Sequence, residues 1–148
     1  MFRGKSGQYI NEHRIIIMEQ HKALIKINQL LQAIADKNFS EFKSAFNLNE
    51  PFLDVLPGGV RIESALALIE CHRDFFDDPH TSFDFSALID IVEADSMLSA
   101  ATRVKVGLAD GSTRQVYLRL LYQRNQQDVW WPRLLQNTLI DAEHKVLG

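Results

Sequence analysis

The longest regular pattern of apolar and polar positions runs from residue 103 to residue 122 and alternates with a period of two on both sides of a short turn. The turn contains Asp110-Gly111, a pair typical of β-hairpins because glycine readily adopts the positive φ that such turns require. The alternation predicts an antiparallel hairpin in a sheet with one buried face. The positions on that face are Val104, Val106, Leu108, Val116, Leu118, Leu120 and Tyr122.

The segments before the hairpin have the spacing of three and four that is typical of amphipathic helices. Leu24, Ile27, Leu31 and Ile34 follow this spacing in the first of them. Asn38 is a suitable N-cap for a second, short helix. We predict helices over residues 12–36, 39–46 and 63–76.

Short extended segments fill the rest of the chain. A strand over residues 52–56 should end at Pro57-Gly58-Gly59, since this sequence cannot continue a regular element. A second strand is predicted from Phe83 to Glu93, and a last one from Val129 to Leu139 with an irregularity around Pro132. Three helices on one face of a mostly antiparallel sheet predict the α+β class.

Composition limits the range of functions. The 148 residues suit a single domain over residues 1–148, in which residues 1–8 should be flexible. A net charge of -3 argues against nucleic acid as a partner. Cys71 is the only cysteine, so an intrachain disulfide is excluded. We find no signal sequence or membrane span, and a cytoplasmic location is the default expectation.

Three strings resemble the nuclear transport factor 2-like superfamily, which includes the SnoaL-like domains. They are ALIKINQLLQAIADKNFSEFKSAF (23–46), PFLDVLPGGVRIESALALIECHRDFFDDP (51–79) and DGSTRQVYLRLLYQRNQQDVWWPRLL (110–135). The resemblance covers residues 20–140. It implies a cone-shaped half-barrel in which three N-terminal helices pack on a curved sheet, an apolar pocket between the two layers, and a homodimer.

Asp54 is the first candidate catalytic residue. Aligned with ketosteroid isomerase-like members of the superfamily, it falls at the position of their general base. Phe52 and Leu56 flank it and would remove water from the carboxylate, which would raise its pKa. The alternative is a carboxylate that caps the neighbouring turn. The superfamily's two enolate-stabilising donors are missing, because their positions correspond to Leu30 and Arg119.

His72 is the second candidate catalytic residue, one helical turn beyond Leu68 and one before Phe76. It could serve as acid, base or ligand contact, or be an ordinary histidine at the helix surface. Leu68 and Phe76, together with Phe52 and Leu56, are the predicted ligand-binding residues. No histidine pair has metal-site spacing, so we predict neither a metal nor a cofactor. Cys71 is expected to be a buried, unreactive thiol.

The outer face of the hairpin is the candidate dimer interface. It carries Arg103, Lys105, Tyr117, Arg119 and Leu121, an amphipathic set with an aromatic member. The alternative is a solvated sheet surface.

Two classes of function remain open. The first is a pocket protein for a small apolar or amphipathic ligand, with or without isomerase, dehydratase or hydrolase activity through an acid–base residue. The second is a noncatalytic dimerisation or association module. The fold alone does not select between them.

Overall fold

The computed structural model describes residues 21–140. Within this range it contains α1 (Lys22–Ala35), α2 (Phe39–Ser44) and α3 (Ala65–Asp77). The Asn38 side chain accepts a hydrogen bond from the Glu41 backbone N–H and caps α2 as predicted. The start of the first predicted helix, over residues 12–20, and the predicted flexible segment lie outside the described residues.

The described strands form one mixed, mostly antiparallel sheet in the order β2-β1-β7-β6-β5-β3, with β4 also paired to β5. The single parallel pair in this sheet joins β1 to β7. The helices cover one face, which gives the predicted α+β architecture. The strands are β1 (Leu53–Val55), β2 (Arg61–Ile62), β3 (Ser82–Phe85), β4 (Ile89–Glu93), β5 (Met97–Gly107), β6 (Thr113–Arg124) and β7 (Trp130–Leu139).

The predicted hairpin is confirmed as β5 and β6. Val104 pairs with Val116, and Gly111 in the turn has the positive φ of 86° that favours glycine. Leu118 and Leu120 are buried on the helix-facing side, as the alternation predicts. β5 begins before residue 103 and β6 ends after residue 122, so the hairpin is longer than predicted.

The prediction of one strand from Phe83 to Glu93 is wrong, because β3 and β4 are separate. Phe85 pairs with Val104 of β5, and Ile89 pairs with Ala101. Between these two pairs the chain advances by four residues while β5 advances by three, so the connection contains one extra residue. The extra residue breaks the ladder. A second irregularity lies within β4, between Ile89 and Val92, and contains Asp90 with a φ of 51°.

The predicted irregularity at Pro132 is confirmed. Leu121 pairs with Leu134, whereas Tyr122 pairs with Pro132, so Arg133 is an extra residue in β7. Proline has no N–H to donate to the ladder, and a bulge is a common place for it in a sheet.

The core lies between the helices and the inner sheet face. In α3, Ala65, Leu68, Ile69 and Phe76 are buried, whereas Leu66 is 52% exposed. No helix within residues 21–140 has the length and apolarity needed to cross a bilayer.

Candidate functional site

A cavity of about 200 Å³ lies between α3 and the inner face of the sheet. Its walls are mainly apolar, with aliphatic side chains from the strands and five phenylalanine rings. Three polar side chains also line it, those of Asp54, His72 and Asn137. A mostly apolar concavity with a few polar groups is the usual form of a small-molecule site. The phenylalanines are Phe42, Phe75, Phe76, Phe83 and Phe85.

Asp54 is the centre of β1, where strand alternation turns it inward. Its side chain is only 3% exposed. The parallel pairing of β1 with β7 brings it beside Asn137, although the two residues are 83 positions apart in the chain. The Asn137 amide donates a hydrogen bond of 2.8 Å to Asp54 Oδ1 and another of 3.1 Å to the Val55 carbonyl.

Burial raises the pKa of Asp54 to about 6, and the hydrogen bond from Asn137 opposes part of that rise. Loss of water destabilises the charged carboxylate, while an amide donor stabilises it. A carboxyl group with this pKa can accept or release a proton near neutral pH, which a solvated aspartate does poorly.

His72 lies on α3 and borders the same cavity. Its Nδ1 is 2.9 Å from the Leu68 carbonyl, one turn earlier in the helix. Because a carbonyl only accepts hydrogen bonds, the proton of the neutral ring is assigned to Nδ1. The ring also packs against Phe42, with 6.2 Å between the ring centroids. Nε2 is therefore the ring atom left for another partner.

Most of the predicted site residues converge on this cavity. Leu56, Leu68 and Phe76 line it together with the two candidate catalytic residues. Phe52 does not. It is buried against Phe46 in a T-shaped contact with 5.3 Å between the centroids.

Asn137 is the site residue that sequence reasoning missed. It lies two positions after the buried Leu135 in β7, so it shares the inner face of that strand. A polar residue on the buried face of a predicted strand was the available signal.

The positions assigned to the missing donors lie away from the cavity. Leu30 is buried in α1, and Arg119 is on the outer face of β6. Within residues 21–140 the cavity lining contains no tyrosine, and Asp54 is its single carboxyl group.

Cys71 is exposed, so the prediction of a buried thiol is wrong. Its thiol donates to the Leu68 carbonyl at 3.3 Å. Partial burial, and then the nearby Asp54 carboxylate, raise the pKa of the thiol, which is the opposite of activation as a nucleophile. Among the described residues no three His, Cys, Asp or Glu side chains cluster as a metal site would require.

The outer face of the sheet carries a polar network of its own. The Tyr117 hydroxyl donates to Asp90 Oδ2 at 2.5 Å, and Arg119 donates to the Tyr117 oxygen at 2.9 Å and to Ser99 Oγ at 2.5 Å. Leu121 is half-buried on the same face. Arg103 and Lys105 are exposed there.

Comparison with solved structures identifies the fold. The chain is similar to a proposed dehydratase of the nuclear transport factor 2-like family from Streptomyces avermitilis, with a TM-score of 0.67, 8% identity, and coverage of 80% of this chain and 94% of that one. A ketosteroid isomerase-like protein from Erwinia carotovora atroseptica gives a TM-score of 0.64 at 14% identity, covering 82% of this chain and 96% of the other.

A proposed association domain of calcium/calmodulin-dependent protein kinase type II from Thiobacillus denitrificans gives a TM-score of 0.62 at 9% identity, with coverage of 78% and 92%. No protein-family sequence model matches the chain. No curated protein matches it in sequence. The protein therefore has the nuclear transport factor 2-like fold, as the three strings indicated, and these neighbours differ too much in description to assign a function.

Proposed function

We propose that the protein binds a small apolar or amphipathic molecule in the cavity between α3 and the sheet, and that Asp54 exchanges a proton with it. The observation that carries the proposal is a carboxyl group, 3% exposed, in an otherwise apolar cavity. Burying a charge without a partner of opposite charge is costly, so such a group is more often found at functional sites than in structural cores.

The turn-capping alternative for Asp54 has less support. The hydrogen bond recorded for its side chain comes from Asn137 in β7, and the bonds that close the turn join backbone groups of Leu56, Gly59 and Val60. The solved neighbours described as a proposed dehydratase and as ketosteroid isomerase-like support the same class of site. The reaction type within the isomerase, dehydratase and hydrolase group stays open.

Ligand binding can be tested without knowing the natural ligand. Small aromatic compounds are titrated into methyl-labelled protein, and the NMR shifts of Leu118 and Val104, both in the cavity wall, report binding there. Val116→Phe should weaken binding because the larger ring fills the cavity. Leu121→Phe introduces the same ring on the outer face of the same strand and should leave binding unchanged.

Equal affinities in the two variants would contradict binding in the cavity. For the proton-exchange role, the carboxyl carbon of Asp54 should titrate near pH 6. A midpoint at or below the ordinary value of 3.8 would remove the support for that role.

A second candidate function is self-association through the outer sheet face. Val92 and Met97 are 62% and 40% exposed. Strand register puts them on the same face as Leu121 and the Tyr117 network. Exposed apolar side chains beside ordered aromatic and arginine groups are typical of protein interfaces. The solved neighbour described as a proposed association domain also supports self-association.

A further inference from the structure

The polar side chains of the cavity share a property that limits what the cavity can bind. With the His72 ring neutral and Asp54 ionised, each of them presents an acceptor to a ligand, and none presents a free donor. Each of the three has a different reason, set by its hydrogen bonds to the rest of the protein.

Asn137 has no amide hydrogen left for a ligand. Its side-chain nitrogen donates to Asp54 Oδ1 and to the Val55 carbonyl, which uses both hydrogens of the NH₂ group. Both partners are acceptors, so the amide cannot be turned over without losing both bonds. The carbonyl oxygen Oδ1 is the only atom of this side chain still available.

His72 and Asp54 also present acceptors, each for its own reason. The Nδ1 hydrogen of His72 is used by the Leu68 carbonyl, so the neutral ring offers the lone pair of Nε2. Asp54 accepts from Asn137 through Oδ1, and Oδ2 has no recorded partner within the described residues. An ionised carboxylate accepts hydrogen bonds and donates none.

The charge of the cavity has one sign. Of the described side chains that line it, none is Lys or Arg, and Asp54 supplies the single negative charge. Most of the remaining lining is apolar and includes the five phenylalanine rings, whose π faces carry negative electrostatic potential. Such faces attract cations, and a carboxylate in an aromatic enclosure increases that attraction.

We propose that this cavity selects an organic ammonium ion, a primary or secondary amine carried on a compact apolar or aromatic body. The proposal rests on the proposed function, since it names the ligand class of the same cavity. The ammonium group supplies the donors that Asp54 Oδ2, Asn137 Oδ1 and His72 Nε2 lack. It also neutralises the buried carboxylate, while the apolar body fills the space between the phenylalanines.

The same arrangement disfavours anionic ligands. A carboxylate or phosphate would meet Asp54 with like charge and would find no donor among the lining side chains. An enolate is disfavoured for the same reason. This agrees with the sequence, in which Leu30 and Arg119 stand at the positions of the superfamily's two enolate-stabilising donors.

The test compares three ligands of similar shape, each with about nine or ten non-hydrogen atoms, a size suited to a small enclosed site. They are 2-phenylethylamine, 2-phenylethanol and phenylacetate. Titrations are run at about pH 8, where Asp54 with its pKa of about 6 is ionised and an alkylamine with a pKa of about 10 is still charged. The methyl shifts of Leu118 and Val104 report occupancy.

The amine should bind the wild type at least about tenfold more tightly than the alcohol, and phenylacetate should bind weakest. Asp54→Asn should abolish the advantage of the amine, because the ion pair is removed while the shape is kept. The matched control is Asp95→Asn, which removes the same charge from an exposed turn and should preserve the advantage.

Two results would overturn the inference and leave the proposed function standing. One is equal binding of amine and alcohol to the wild type. The other is an amine advantage that survives in Asp54→Asn, since the attraction would then arise elsewhere. If none of the three ligands shifts the cavity methyls up to about 10 mM, both the proposed function and the inference fail.

Discussion

Replacing Asp54 by asparagine should make the protein more stable at neutral and alkaline pH. The folded state raises the pKa of this group from its ordinary 3.8 to about 6 because burial penalises the carboxylate. Each pKa unit corresponds to about 1.4 kcal/mol, so the ionised group costs the folded protein about 3 kcal/mol. Asparagine keeps the shape and carries no charge.

The cost depends on pH with a definite sign. Because the folded state binds the proton more tightly than the unfolded state, the cost is absent below the unfolded pKa of 3.8 and grows as pH rises. It is fully present above about pH 6. In Asp54→Asn the side-chain NH₂ takes the place of Oδ2, which has no hydrogen-bond partner within residues 21–140. The unpaired NH₂ offsets part of the gain in stability, so we expect a gain of roughly 1–3 kcal/mol at about pH 8. The gain should fall below about 1 kcal/mol near pH 4.

Urea unfolding at about pH 8 and pH 4 measures both values. Asp95→Asn is the control for a general change in net charge, because its carboxyl is exposed in the turn before β5. A variant that is less stable than the wild type at pH 8, or a gain that does not change with pH, would refute the reasoning from desolvation.

Three further predictions concern the core and the outer face. Leu118→Ala should lower the free energy of unfolding by about 2–5 kcal/mol, and Arg114→Ala at the strand end should cost little; equal urea midpoints would contradict the assignment of strand faces. Tyr122→Phe should not lower stability, because the buried hydroxyl has no hydrogen-bond partner within residues 21–140. If the protein forms dimers through its outer face, Tyr117→Glu with Leu121→Glu should shift the mass measured by light scattering from dimer to monomer, whereas a monomeric wild type at tens of micromolar would exclude this interface.

The sequence predicted the hairpin well because its signal is local. Asp110-Gly111 sets the turn, and the alternation around it sets both faces, so β5 and β6 differ from the prediction mainly in length. The break between β3 and β4 was not predictable in the same way. It depends on how residues 86–88 meet β5, where the Ser86 hydroxyl accepts from the backbone N–H of Arg103 and hydrogen-bonds Thr102.

The candidate site was predictable only in part, because local patterns do not reveal contacts between distant parts of the chain. Asp54 and His72 were found through a short strand and a helix close together in the chain. The contribution of Asn137 depends on the parallel pairing of β1 with β7, and no local pattern specifies which strand will lie beside another. Phe52 was misassigned because its packing partner Phe46 comes from the segment after α2 and not from the cavity.

The pairing of β1 with β7 also has a consequence for the order in which the chain folds during synthesis. Asp54 meets Asn137 across 83 residues, so this contact closes a loop that contains most of the domain. Contacts of such long range form late, because the entropy of the intervening chain must be lost first. On a ribosome, β7 is the last of the strands within residues 21–140 to emerge. Until it docks, Asp54 stays hydrated with the acidity of an ordinary aspartate, and the nascent chain does not carry the buried charge that the finished fold must tolerate.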